Sequence, residues 1–223
     1  MNDMKKRIKN IMGFTLVELM VVILILTSMM GGVYLSLRTG SDSWFSVDSQ
    51  MQINDNLRLV IEKISKELRE TGYDLNGVAQ FTIYNGTGVN GSDILRFSMP
   101  VQCSSNTAIL DSNGNVAYWR APLSWGCYAS SCMDADNDCS TVDYRYVEYS
   151  LDISRRLVRK VLNNAANVVR TDIFAQNISD FQATLSADTK VITITASSTV
   201  NGNYKRNFSG TKTMAVYLRN RGS

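Results

Sequence analysis

Apolar positions along the chain fall into three successive patterns. The first is a nearly unbroken run that opens Phe14-Thr15-Leu16-Val17-Glu18-Leu19-Met20-Val21-Val22-Ile23-Leu24-Ile25-Leu26 and continues to Leu37. These 24 residues make a helix of about 36 Å at about 1.5 Å per residue, enough to span a hydrocarbon core of about 30 Å. A secretory signal has a shorter core, about 7–15 apolar residues before a small-residue cleavage site. No Ala-x-Ala-like site follows this run. In the second pattern Ile53, Leu57, Val60, Ile61, Ile64 and Leu68 recur at helical spacing, with Arg58, Glu62, Lys63, Lys66, Glu67, Arg69 and Glu70 on the other face. Thr71-Gly72 supplies a stop, with Gly72 suited to a terminal left-handed position. No proline separates the two patterns, so they predict one broadly continuous helical spine. The weak points are Gly31-Gly32 and Thr39-Gly40-Ser41, at about 1 kcal/mol per Gly relative to Ala. Two helices, an anchor and a surface helix, are the alternative.

The third pattern, after Gly72, is short strands and polar loops. Strands are predicted at Val78–Tyr84, Ile94–Met99, Val116–Arg120, Val142–Leu151, Arg156–Val161, Phe181–Ser186, Lys190–Ala196 and Thr213–Leu218. Two hairpins are expected, one turning through Asp152-Ile153-Ser154 and one through Ala187-Asp188-Thr189. A helix followed by strands predicts an α+β fold: a long amino-terminal helix, membrane-spanning in its first half, packed on an antiparallel β-sheet domain. The expected divisions are 1–13, a basic leader; 14–37, the membrane helix; 38–72, its amphipathic continuation; and 73–223, a β-rich globular domain outside the cytoplasm.

Charge changes the picture in one way. The net charge of +3 lies wholly in Lys5, Lys6, Arg7 and Lys9 against Asp3. The bias predicts a cytoplasmic amino terminus and an exported globular part. The remaining side chains sum to about zero, and no nucleic-acid surface is inferred. Glu18 stands out because a charge at a bilayer centre costs roughly 2.5–3.5 kcal/mol. The chain has no histidine, which removes Ser-His-Asp and Cys-His catalysis and His-ligated metals. No nucleophile motif is present either, so a membrane-anchored enzyme is the least supported class.

Cys103, Cys127, Cys132 and Cys139 form an even set in an exported segment, which reads as two disulfides. Three pairings are open, with Cys103–Cys127 and Cys132–Cys139 preferred. A four-cysteine zinc site is the rival, although no Cys-x-x-Cys pair occurs. Asp134, Asp136 and Asp138 place oxygens at alternate loop positions, as a Ca²⁺ site does, with Asp143 or Glu148 available to complete the shell. Cys139 stands where the turn glycine of such a loop belongs, and a solvated acidic loop is the competing reading. Tyr118, Trp119, Trp125, Tyr128, Tyr144, Tyr146 and Tyr149 read first as a sheet core with cross-strand pairs and second as a binding patch.

Gly13-Phe14-Thr15-Leu16-Val17-Glu18-Leu19, set between a basic stretch and an apolar helix, resembles the class III signal of type IV prepilins and type II secretion pseudopilins. The resemblance implies that a prepilin peptidase cuts after Gly13, where a missing Cβ admits close approach, and N-methylates Phe14. It further implies that Glu18 neutralises the new amine, on its own chain or a neighbour, during filament docking. Leu57-Arg58-Leu59-Val60, Leu68-Arg69-Glu70-Thr71-Gly72-Tyr73, Asp93-Ile94-Leu95-Arg96-Phe97, Val147-Glu148-Tyr149-Ser150-Leu151, Arg156-Leu157-Val158-Arg159 and Val216-Tyr217-Leu218-Arg219-Asn220 are similar to PilW-like minor pilins. GspJ-like pseudopilins share that outline. The implied function is a structural subunit that helps start pilus assembly and can sit at the tip, with no catalysis of its own and no required cofactor. The implied partners are the prepilin peptidase, major and other minor pilins, the inner-membrane assembly platform and, before assembly, the membrane. The implied location is the inner membrane, single-pass, and then the periplasm or surface pilus. A calcium-stabilised tip adhesin is the second functional class.

Overall fold

The computed structural model describes residues 15–101, 110–121, 144–201 and 207–221. The two helical patterns form a single helix, α1 (Leu16–Leu68), that runs unbroken through Gly31, Gly32 and Gly40. The chain divides into two compact units, Met1–Val47 and Asp48–Ser223. The helix does not end on a left-handed Gly72. Its last turn tightens instead: Glu70 N–H donates to Glu67 C=O at 3.1 Å and Thr71 N–H to Leu68 C=O at 3.2 Å. These three-residue bonds satisfy carbonyls that a helix end leaves open. Gly72 then enters a strand directly.

The strands are β1 (Gly72–Tyr73), β2 (Phe81–Tyr84), β3 (Ile94–Phe97), β4 (Met99–Pro100), β5 (Trp119–Arg120), β6 (Tyr144–Leu151), β7 (Leu157–Asn163), β8 (Val168–Ala175), β9 (Ile178–Leu185), β10 (Val191–Asn201), β11 (Asn207–Tyr217) and β12 (Asn220–Arg221). They make an antiparallel sheet in the order β2-β3-β6-β7-β8 and a second in the order β9-β10-β11. The parallel pair β1–β12 ties the end of the helix to the end of the chain, and β4–β5 is a short ribbon. Both expected hairpins are present, with Leu151 opposite Leu157 and Leu185 opposite Ile192. The long helix on antiparallel sheets makes the fold α+β, as the pattern predicts.

One strand of eight residues, β8, has no counterpart among the predicted strands. It is an edge strand carrying Arg170 and Asp172, and most of its side chains are exposed, so the inside–outside alternation that marks a strand is lost.

The helical stripe Ile53, Leu57, Val60, Ile61, Ile64 and Leu68 is buried in one core with both larger sheets. Leu95, Phe97, Val147, Tyr149, Leu157 and Val161 come from the five-stranded sheet, and Ile178, Phe181, Ala183, Ile192, Ile194 and Val216 from the three-stranded one. Burying each such side chain contributes about 1.5–3 kcal/mol, so the stripe itself clamps this half of the helix. The helix comes so close to β11 that a Cβ built on Gly210 would sit 2.7 Å from Ile53 Cγ2. The two sheets are stitched by buried Asp93, whose carboxylate accepts from Gly86 N–H at 2.7 Å and from Ala183 N–H at 2.8 Å.

Candidate functional site

The first unit offers one feature with functional character, an apolar helix that lacks a core. Leu16, Val17, Met20, Leu24, Ile25, Met29, Met30 and Leu37 are all exposed, on every side of the helix. A helix that is apolar all round belongs inside something: a bilayer, a bundle or both. By length and composition this one is able to cross a membrane.

Two of its hydroxyls are settled locally. Thr27 Oγ1 donates to the carbonyls of Ile23 and Leu24 at 2.9 and 3.0 Å, and Ser28 Oγ to that of Ile25 at 2.8 Å. Hydroxyls bonded in this way are tolerated in hydrocarbon. Glu18 is the one charged side chain between Leu16 and Leu37, and no donor among the described residues reaches its carboxylate.

Glu18 sits in the first turn of α1, where Thr15 is the cap. Thr15 C=O accepts from Leu19 N–H at 3.1 Å, and Thr15 Oγ1 accepts from Glu18 N–H at 3.2 Å. Thr15-Leu16-Val17-Glu18 therefore has the Thr-x-x-Glu spacing of a capping box. The signal was readable from sequence, and it gives Glu18 a second physical role: a carboxylate near the positive end of the helix dipole.

Most of the other sequence-derived sites lie outside the described residues. These are Gly13, Phe14, all four cysteines (Cys103, Cys127, Cys132, Cys139), the aspartates Asp134, Asp136, Asp138 and Asp143, and the aromatics Trp125 and Tyr128. Glu148, considered for the calcium shell, is already engaged. Its carboxylate accepts from Arg96 Nη2 at 2.7 Å and Lys160 Nζ at 3.2 Å. Among the described residues, no three His, Cys, Asp or Glu side chains cluster as metal ligands. Of the aromatics, Tyr149 and Trp119 are core residues, with Tyr149 stacked on Phe97 at 6.1 Å. Tyr146 lies beneath the guanidinium groups of Arg96 and Arg145.

Glu67 corrects the sequence reading more sharply. It was assigned to the solvent face of the helix, but it is held against the sheet. Its Oε2 accepts from Tyr149 Oη–H at 2.9 Å and Arg159 Nε–H at 3.0 Å. Asp172 stands 3.7 Å from the same guanidinium. Burial works against the Arg159 charge, but the Glu67 carboxylate outweighs it and raises the pKa. Burial, and then the same carboxylate, push the Tyr149 phenol well above its usual range, so it remains a neutral donor. The spacing held a clue: Glu67 follows Ile64 by three residues and Val60 by seven, which is the stripe itself.

No known protein family, curated protein or solved structure matches the chain.

Proposed function

We propose that this chain is a minor type IV pilin, similar to PilW-like subunits: a structural component that is processed after Gly13, N-methylated at Phe14 and built into a filament from the inner membrane. The observation that carries the reading is the exposed apolar half of α1 with Glu18 as its one charged side chain before Arg38, four residues after Phe14.

The chemistry is complementarity. Cleavage before Phe14 creates an amine two residues before Leu16, the first residue of the helix. An amine and a carboxylate are each costly alone in hydrocarbon, and pairing them offsets both costs. Such a pair fixes axial register between neighbouring helices, because a shift of one turn, about 5.4 Å, leaves both charges unpartnered. The other half of the helix is clamped into the globular domain by its stripe.

Mass spectrometry of sheared surface filaments and membranes from the same cells tests the reading. N-methyl-Phe14 in the filament fraction, at a small ratio to a major pilin, is expected. Processed protein confined to membranes would favour a secretion pseudopilus, and an intact leader in both fractions overturns the proposal.

A further inference from the structure

The two edges of the three-stranded sheet are treated differently. At the β9 edge, Asp93 N–H donates to Phe181 C=O at 2.8 Å, Asp93 Oδ2 accepts from Ala183 N–H, and Gln182 Nε2 donates to Gly91 C=O at 3.3 Å. That edge is covered by the chain's own β2–β3 connection. The β11 edge has no such cover: among the described residues, no backbone bond joins Asn207–Tyr217 to anything but β10. An eleven-residue edge strand is a template for another chain unless it is blocked. No proline blocks this one, and Lys212 is its one charged side chain.

Beside that edge lies an open groove of about 620 Å³. Helix α1 forms one wall, while Lys212 and Met214 of β11 form the other; no residue of β10 lines it, so it opens on the unpaired side of β11. Ile61 and Met214 supply apolar lining. Arg219 closes one end, donating its backbone N–H to Arg69 C=O at 3.2 Å and its Nη1 to Glu70 at 3.0 Å. Arg58, Lys66, Arg69, Lys212 and Arg219 line the groove against only Glu62 and Glu70. That surplus is local, because beyond the basic amino-terminal stretch the chain is close to neutral.

We infer that this groove takes an extended acidic segment of another polypeptide, added as a strand to β11. Main-chain bonds from β11 supply the pairing, alternate side chains of the guest meet Ile61 and Met214, and its carboxylates meet the basic rim. The inference stands on this edge and groove alone and does not depend on the filament reading.

The test uses the full chain in detergent micelles. The probe is a fluorescein-labelled peptide of alternating Glu and Val, about eight residues long. The controls are alternating Lys and Val, and the Glu/Val peptide N-methylated at every backbone amide, equally charged but with no N–H to pair as a strand. The Glu/Val peptide is expected to bind, to weaken about tenfold or more in an Arg69→Glu/Lys212→Glu variant, and to lose affinity as salt rises. Both side chains are exposed, so that variant leaves the core intact. Hydrogen exchange across residues 207–217 should slow when the peptide is bound. Failure of the Glu/Val peptide to bind, equal binding of the N-methylated peptide, undiminished binding to the charge-reversed variant, or binding without protection of β11 would each overturn the inference.

Discussion

Arg159 on β7 donates its Nε–H to Glu67 on α1 at 3.0 Å, with only 5% and 13% of the two side chains exposed. The bond joins the helix that carries the apolar segment to β7 of the five-stranded sheet, the strand beside the β8 edge. Removing one partner of such a pair strands the other, at about 3–5 kcal/mol, whereas replacing both with apolar groups of similar size is often nearly neutral. Glu67→Met is therefore expected to destabilise the domain by about 3 kcal/mol or more. Glu67→Met with Arg159→Met should recover part of the loss, the remainder reflecting the Tyr149 hydroxyl left without its acceptor. Urea unfolding followed by tryptophan fluorescence measures this; equal losses in the single and double variants would show that the charges are not coupled.

Tyr149 sets an alkaline limit. Its phenol is buried and its pKa stands well above the ordinary value near 10. A raised folded-state pKa gives stability that is fully present below the unfolded pKa and is lost as pH climbs toward the folded one. Stability should fall above about pH 10, by up to about 1.4 kcal/mol per pH unit from this group. Tyr149→Phe removes the titrating proton, so its melting temperature should start lower, for want of the bond to Glu67, but decline less steeply between pH 9.5 and 11, roughly the window the linkage sets. Parallel slopes in the two proteins would place the alkaline loss elsewhere.

Gly210 is a contact position. A Cβ there would lie 2.7 Å from Ile53 Cγ2 and 3.6 Å from Leu57 Cδ1. The first distance is an overlap, and Ile53 is buried with little freedom to retreat. Gly210→Ala should cost about 1–3 kcal/mol, as overpacking does. In an Ile53→Ala background the added methyl meets a vacancy instead, so the cost should shrink or reverse. Additive losses in a double-mutant cycle would argue that the two positions do not touch.

Turn geometry offers a stabilising change. Thr189 sits at φ 58° in the β9–β10 turn, a left-handed conformation that disfavours a β-branched residue. Its hydroxyl makes an exposed bond to the adjacent Asp188 C=O at 2.7 Å, but the bonds that shape the turn are backbone: Thr189 N–H donates to Ser186 C=O at 2.9 Å, and Tyr73 Oη–H to Thr189 C=O at 3.2 Å. Glycine keeps both bonds without the steric cost. Thr189→Gly should gain about 1 kcal/mol, roughly 2–4 °C in melting temperature; a fall in melting temperature would contradict the strain argument.

The turns also show what the sequence made legible. Asp74-Leu75-Asn76-Gly77 and Asp111-Ser112-Asn113-Gly114 close the same loop: the first carboxylate accepts backbone N–H groups two and four residues on, and the fourth residue is left-handed. Asp-x-Asn-Gly is readable turn chemistry. Asp152 through Arg155 repeats the geometry with Arg155 at φ 57°, which residue identity alone does not announce. The helical stripe and the β-branched strands were legible because periodicity reports burial directly. Glu67 and β8 were not, since a charged side chain buried by its partner, like an edge strand with polar residues on both faces, breaks the link between polarity and exposure. At Glu18 the residue and its anomaly were visible, but the Thr15 cap beside it went unread.

That cap makes Glu18 the most discriminating position in the chain. As a first-turn residue it supports the helix end, a role worth about 0.3–1 kcal/mol through the dipole. As a docking charge it must be ionised, or paired with an amine, in hydrocarbon. Glu18→Gln separates the two roles, because the amide retains shape and hydrogen bonding but not charge. Thr15→Ala isolates the cap, whose loss costs about 1 kcal/mol of helix stability. Under the docking proposal, Glu18→Gln and Glu18→Ala are both cut after Gly13, and both fall about tenfold or more in the filament fraction, since a lost pairing of roughly 2 kcal/mol exceeds one decade. Thr15→Ala should be incorporated nearly as well as the parent chain. Quantitative mass spectrometry of filaments and membranes reads all three variants together. Normal incorporation of Glu18→Gln alongside loss of Thr15→Ala would assign Glu18 to the helix cap and remove the charge from the docking mechanism.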